Sequence, residues 1–346
     1  MSDVDVVGRI EASLSDGGWR ASGEVLGDAD RLQFYQQIKI WFDLFVPGGW
    51  ETQPRPGFNG HLLPDPFNIS VQSSVAPWSA FTAQEFAKRG KVQGIYFRHV
   101  DSGPANQHQI VDMTYATIVE HLVGKSGEYG HCNLRQGIWP EGIMTLNLDT
   151  ANSSTIDEHE VKEGTFWDKL QEMADIDNYI LFVKKTNELN FVVHPMFGTL
   201  PTPVFILTDA MLLEPLTITT RNTEAAGQIK LQGTTPQGLQ LSARYPTDAT
   251  TGPIVTRSGY MATDNSKMAA IAERLYRFEN RSHTVEAKIG NGVGLMLELL
   301  DRLSITYSRA VDGIAWTAKK FWIHQITVEL RANFTAETTL LLEAEN

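Results

Sequence analysis

The chain has 346 residues, enough for two or three domains, and a hydrophobic fraction of 42% with 20% charged residues is that of a folded globular protein. A net charge of −12 argues against a protein built to grip DNA or anionic lipid, because phosphate binding needs clustered Lys and Arg. No apolar run approaches the length of a membrane helix, the opening residues carry no secretory signal, and the single cysteine, Cys132, precludes an intrachain disulfide or a cysteine-based zinc site; synthesis in a cytoplasm is the expectation.

The first hundred residues or so read as β structure. Residues 31–43 alternate, with Phe34, Ile38, Ile40 and Phe42 on one face and Tyr35, Gln37, Lys39 and Asp43 on the other. Trp41 interrupts the polar face, which marks that face as one that meets a partner or a second layer. A Gly- and Pro-rich loop at 47–57 follows, then short strands near 60–63, 68–73 and 94–100, punctuated by Pro64, Pro66 and Pro77.

From Asp112 the period becomes helical. Asp112 is the expected N-cap of a helix that places Tyr115, Ile118, Val119 and Leu122 on one face and ends at Gly124. A linker at 124–137, a strand at 143–148 and a polar loop at 149–154 lead to a second helix. That helix starts near Thr165, with Asp168 as a weak capping box and Phe166, Leu170 and Met173 facing inward. Strands at 179–184 and 189–193 form a hairpin across residues 185–188. Strands at 216–220, 228–232 and 239–245 precede a third helix at 266–280, with Ile271, Leu275 and Phe278 inward. Strands at 285–289, 303–307 and 321–331 close the chain, the last with Trp322, Ile326, Val328 and Leu330 expected on one face. The order is that of an α+β protein.

Motifs for chemistry fail on inspection. Gly124-Lys125-Ser126 lacks the first glycine of a phosphate loop, since position 119 is Val, and it ends a helix where such a loop must begin one. Gly290-Asn-Gly-Val-Gly294 has Leu295 in place of a dinucleotide fingerprint's third glycine and reads as a turn. His159 among Asp157, Glu158, Glu160 and Glu163 reads as a solvated acidic loop, and His99 and His108 as surface residues. Cys132 beside His131 shows no nucleophile setting. No catalytic, cofactor-binding or metal-ligating residue is assigned, no cofactor is expected, and the chain is read as a non-enzyme. Spatially paired carboxylates for glycoside hydrolysis are invisible to a linear reading.

Several segments resemble the tail-hub proteins of tailed phages, a group that includes the late-control-D type, contractile-tail baseplate hubs and the hub portion of type VI secretion spikes. Thr114-Tyr-Ala-Thr-Ile-Val-Glu-His-Leu-Val123 is similar to the helix that opens a hub's middle domain. Glu163-Gly-Thr-Phe-Trp-Asp-Lys-Leu-Gln-Glu-Met-Ala174, with Asp177-Asn-Tyr-Ile-Leu-Phe182 after it, resembles the hub helix that leads into a hairpin ending near a proline, here Pro195. Gly227-Gln-Ile-Lys-Leu-Gln-Gly233, residues 268–277, Leu300-Asp-Arg-Leu-Ser-Ile-Thr306 and Phe321-Trp-Ile-His-Gln-Ile-Thr-Val328 resemble the second ring domain and its inserted helix. Gly57-Phe-Asn-Gly60, with Thr82-Ala83 downstream, resembles the first ring domain.

The resemblance implies two β-barrel-like tube domains with an inserted α/β middle domain. The boundaries expected are 1–110 for the first tube domain, 111–205 for the middle domain, and 206–244 and 284–346 for the second tube domain. A helical insertion at 245–283 belongs to the middle domain. It implies a virion tail protein, assembled in the host cytoplasm, that forms a trimeric pseudo-sixfold ring with itself and lets DNA pass in transit through a neutral or acidic bore. Its other expected partners are tail tube and distal tail proteins, the tape measure protein, and spike or fibre proteins, with no membrane insertion. Strands 31–43 and 321–331 are the candidates for ring contacts. The alternatives are a carbohydrate- or receptor-binding tail-tip module, a polysaccharide hydrolase and a hexameric distal tail ring.

Overall fold

The computed structural model describes residues 7–26, 37–42, 45–46, 49–50, 55–62, 75–92, 94–100, 109–123, 145–195, 200–220, 226–248, 252–280, 283–290, 293–309, 313–330 and 336–345. The expected strand at 68–73, the linker at 124–137, residues 31–36 and much of the 47–57 loop lie outside them. Eleven strands form one sheet. Its order is Thr217–Thr220, His283–Ile289, Ala336–Ala344, Ile314–Leu330, Val7–Ser13, Gly18–Leu26, Val75–Phe81, Arg55–Leu62 and Gln37–Phe42. Arg302–Arg309 and then Phe205–Thr208 branch from the first half of Ile314–Leu330.

Ile314–Leu330 is the spine of this sheet. Its first half pairs with Arg302–Arg309 and its second half with Ala336–Ala344 on one side and Val7–Ser13 on the other. The pairing of Val7–Ser13 with 325–330 joins the N-terminal and C-terminal β regions into a single layer. Two barrel-like units are expected; among the described residues the strands run as one path with a branch, and no closed barrel is found. One core serves both regions, with Ile10, Trp19, Phe58 and Ala80 from the first and Val285, Leu303, Ile326 and Leu340 from the second.

The spine also corrects a facing. Ile323 pairs with Leu342 and Gln325 with Leu341, so His324 is an extra residue in the ladder. The period-2 alternation shifts phase there. Phe321 and Ile323 therefore join Ile326 and Val328 in the core, while the wholly buried Trp322 turns to the other face.

A second core gathers the helices and the smaller sheets. It holds α1 (Ala83–Arg89), a helix inside the stretch read as all β, together with α2 (Tyr115–Val123) and α3 (Phe166–Asp177). The α2 cap differs from the expectation. Asp112 sits at φ +51° in a turn, and the hydroxyl of Thr114 accepts from the Thr117 amide at 3.2 Å. In α3 the expected cap is present: the Thr165 side chain accepts from the Asp168 amide. Asn178 ends the helix in the left-handed conformation, φ 58°, and the chain turns directly into the hairpin Tyr179–Val183 and Glu188–Val193. Thr145–Leu148 adds a parallel strand to that hairpin.

A third, small core lies under the sheet Gln240–Tyr245, Gln228–Thr234 and Ile254–Met261, covered by α4 (Asn265–Glu279). Ile229, Leu231, Met268 and Ile271 fill it; Leu275 packs against it half-buried.

Candidate assembly interface and the junctions behind it

Among the described residues no group of three or more His, Cys, Asp or Glu side chains is placed to hold a metal ion. His159 is not in a solvated loop. It lies on the strand Glu158–Val161, whose acidic neighbours point outward, while its ring packs edge-on against Tyr115 at 5.1 Å and burial lowers its pKa. Gly294 is a packing glycine: a Cβ there would come within 2.1 Å of the Thr338 side chain. Residues 124–126, His108, His131 and Cys132 lie outside the described residues.

The chemistry is concentrated at two junctions between regions distant in sequence. At the first, the turn at 14–17 of the N-terminal hairpin reaches the middle domain. The Gly17 carbonyl accepts from the Val183 amide at 2.8 Å, and a Cβ on Gly17 would lie 2.1 Å from Trp167 Cζ2. Leu170 is buried in the α3 core as expected; Trp167 is buried there too, and its indole also seats this turn. Next to it, Trp19 Nε1 donates to Glu298 at 2.5 Å, and the Lys185 amide donates to the same carboxylate at 3.2 Å. The Lys185 ammonium donates to the carbonyls of Leu295 and Leu297. Desolvation pushes the Glu298 pKa up to about 7, and burial lowers that of Lys185. A cavity of about 570 Å³ beside this cluster is lined by Phe182, Lys184, Asn190, Met296, Glu298 and Asp301.

At the second junction, the wholly buried Asp177 at the end of α3 accepts from Ser153 Oγ and Ser154 Oγ, both at 2.6 Å, and from the Ser154 amide. Lys267 of α4 stands 3.0 Å from the Asp177 carboxylate and donates to the carbonyls of Asn152 and Asp177. These bonds lash the α4 unit to the middle domain. The loop at 149–154, read as merely polar, supplies the Asn152 carbonyl to Lys267 and the two serines that hold Asp177.

The two candidate contact strands fare differently. The spine, which contains 321–330, is paired on both sides through its second half and offers no open edge there. Among the described residues Gln37–Phe42 pairs on one side only, with Arg55–Leu62. Ile38 and Ile40 lean on the core, Gln37 and Lys39 are exposed, and Trp41 is 55% exposed, as its place on the polar face predicts. Linear reading missed a second edge. Among the described residues Phe205–Thr208 pairs only with Arg302–Arg309, in parallel. Ile206 on it and Val204 just before it, with Met211 and Leu213 in the segment that follows, are exposed. Its signal was present as the apolar run 204–207 after Pro201 and Pro203.

No protein-family model matches the chain, and no curated protein matches it by sequence. Solved structures do match it. A tail protein from Neisseria meningitidis MC58 superposes with a TM-score of 0.64 at 13% identity, over 98% of this chain and 91% of that one. The 43 kDa tail protein of prophage MuSo2 from Shewanella oneidensis gives 0.57 at 11% identity, over 97% and 93%. The E. coli c3393 protein, a type VI secretion component similar to the T4 tail proteins gp27 and gp5, gives 0.53 at 9% identity, over 100% of this chain and 75% of that one. The chain has the fold of phage tail proteins and of a gp27/gp5-like type VI secretion component, the group its sequence resembles.

Proposed function

We propose that this chain is a structural tail-tip hub: three copies form a ring that joins the tail tube to spike, fibre or baseplate proteins, with DNA passing through the bore. The observation that carries this reading is the end-to-end match to tail proteins, which accounts for both β regions and the middle domain together. The single sheet supports it. Its N-terminal and C-terminal β regions are paired through Val7–Ser13 within one chain, so three chains supply six β units around an axis. Two strands paired on one side only among the described residues, Gln37–Phe42 and Phe205–Thr208, give each copy the unlike surfaces that a head-to-tail ring requires. The distal tail proteins and the tape measure protein are the further partners of this reading. An excess of 41 acidic over 29 basic side chains suits a bore wall that repels phosphates.

The test is native mass measurement with electron microscopy of the purified chain. A particle of three times 38.6 kDa with a central hole is expected. Six identical copies would instead identify a distal tail ring, a monomer that binds glycans a receptor-binding module, and turnover of cell-wall or capsule glycan a hydrolase.

A further inference from the structure

Among the described residues three strands of the one sheet are paired on a single side, Gln37–Phe42 and Thr217–Thr220 at the two ends of its path and Phe205–Thr208 at the end of its branch; the edges of Phe205–Thr208 and Gln37–Phe42 are chemically complementary. Val204 donates its amide to the Arg302 carbonyl at 2.9 Å, which begins the parallel ladder with Arg302–Arg309. By alternation, the backbone groups of Phe205 and Leu207 face away from that ladder, and no strand lies beyond them among the described residues. The side chains sort by face: Leu207 is wholly buried in the main core, whereas Val204 and Ile206 stand 58% and 59% exposed on the other side. Met211 and Leu213, in the segment that follows, are exposed as well. An exposed apolar strand with an unpaired edge is a template for strand addition, and proteins that do not use such an edge blunt it with charge or proline. Within this strand there is neither.

The Gln37–Phe42 edge has the matching layout. Ile38 and Ile40 of Gln37–Phe42 pack toward the same core as Leu207, and Gln37, Lys39 and Trp41 point outward. Laid side by side, the two edges keep core residues on one face of a continuous sheet and bring Trp41 beside Val204 and Ile206 on the other. The side-chain period of 2 makes this agreement of faces a real condition, because a slip of one residue would set Trp41 against the core. The exposed Lys39 then has the exposed Asp209, at the end of Phe205–Thr208, as an opposite charge.

We propose that Phe205–Thr208 and its apolar patch dock the Gln37–Phe42 edge of a second copy of this chain. The inference rests on the ring reading and names the contact that closes it. Because the edges are unlike, each copy offers one of each, and the contact repeats head to tail until the ring closes.

The test uses two full-length variants, Ile206→Lys and Trp41→Lys, so that the two damaged edges also repel each other in a mixture. Both side chains are more than half exposed, so far-UV circular dichroism and the melting temperature should match the parent chain. Each variant alone has one damaged edge in every contact and should sediment as a monomer at concentrations about tenfold above those at which the parent assembles. Mixed, the variants retain one intact pair of edges between them and should form a one-to-one dimer that grows no further. Amide exchange of Phe205 and Leu207 should slow in the parent assembly and not in the monomeric variants. Rings from either variant at the parent's concentration, or a mixture that stays monomeric, would overturn this contact while leaving the hub reading in place. A parent chain that never assembles would instead overturn the hub reading.

Discussion

Gly17→Ala probes the junction between the N-terminal hairpin and the middle domain, and its cost can be worked from two terms. Gly17 has φ +77°, which costs an L-residue about 1–2 kcal/mol. The added Cβ would stand 2.1 Å from Trp167 Cζ2, and the indole is 7% exposed in a filled core, so overpacking adds about 1–3 kcal/mol. Trp167→Ala alone removes a large buried side chain and should cost about 3–5 kcal/mol. In the Trp167→Ala background the collision is gone, and Gly17→Ala should cost only its backbone term. The double variant should therefore be more stable than the sum of the single losses by about 1–3 kcal/mol. Urea unfolding of the four proteins, compared at constant m-value, measures this coupling. Additive losses, within about 0.5 kcal/mol, would show that the turn does not rest on the indole.

Three of the four helices among the described residues were legible because their signals are local, whereas α1 lay in a stretch read as β. Thr165 with Asp168, and the spacing of Phe166, Leu170 and Met173, determine the start and buried face of α3 within a few residues. The main sheet was much less so. Val7–Ser13 and Gly18–Leu26 are short on large apolar residues, and their burial depends on partners hundreds of residues away. The strand Ala336–Ala344 has the sequence Ala-Glu-Thr-Thr-Leu-Leu-Leu-Glu-Ala, rich in helix formers. Its alternate Leu340, Leu342 and Ala344 are nevertheless buried by the spine and His283–Ile289, so tertiary packing overrides propensity. The extra residue at His324 leaves no mark in the pattern, yet it reverses the facing of Trp322. Of the assembly surface, Trp41 declared itself by breaking a polar face. Phe205–Thr208 did not, because four apolar residues in a row look the same at an open edge as in a core.

Asp177→Asn should cost about 3–5 kcal/mol, since it leaves the Lys267 ammonium without its buried counter-charge; adding Lys267→Met should recover part of that loss, and no recovery would mean that the ion pair does not hold α4 in place. Stability should also carry two opposing pH dependences. The His61 ring is buried, its Nε2 has no hydrogen-bond partner among the described residues, and desolvation pulls its pKa from 6.5 down to about 4. Unfolded chains therefore bind the extra proton between these values, and the His61 contribution, on the order of 3 kcal/mol, is intact above pH 6.5 and lost as pH falls toward 4. Glu298 acts in the opposite sense. Its pKa rises from 4.5 to about 7, so the folded chain holds the extra proton, and a contribution of similar order is intact below pH 4.5 and lost as pH rises toward 7. In the parent the two slopes oppose each other across the shared window. Glu298→Gln should make stability climb more steeply with pH between 4.5 and 6.5, and His61→Gln should tilt the same curve downward. Guanidinium midpoints taken at half-unit steps of pH resolve the two, and a pair of variants whose slopes match the parent's would show that neither group is desolvated in the folded chain.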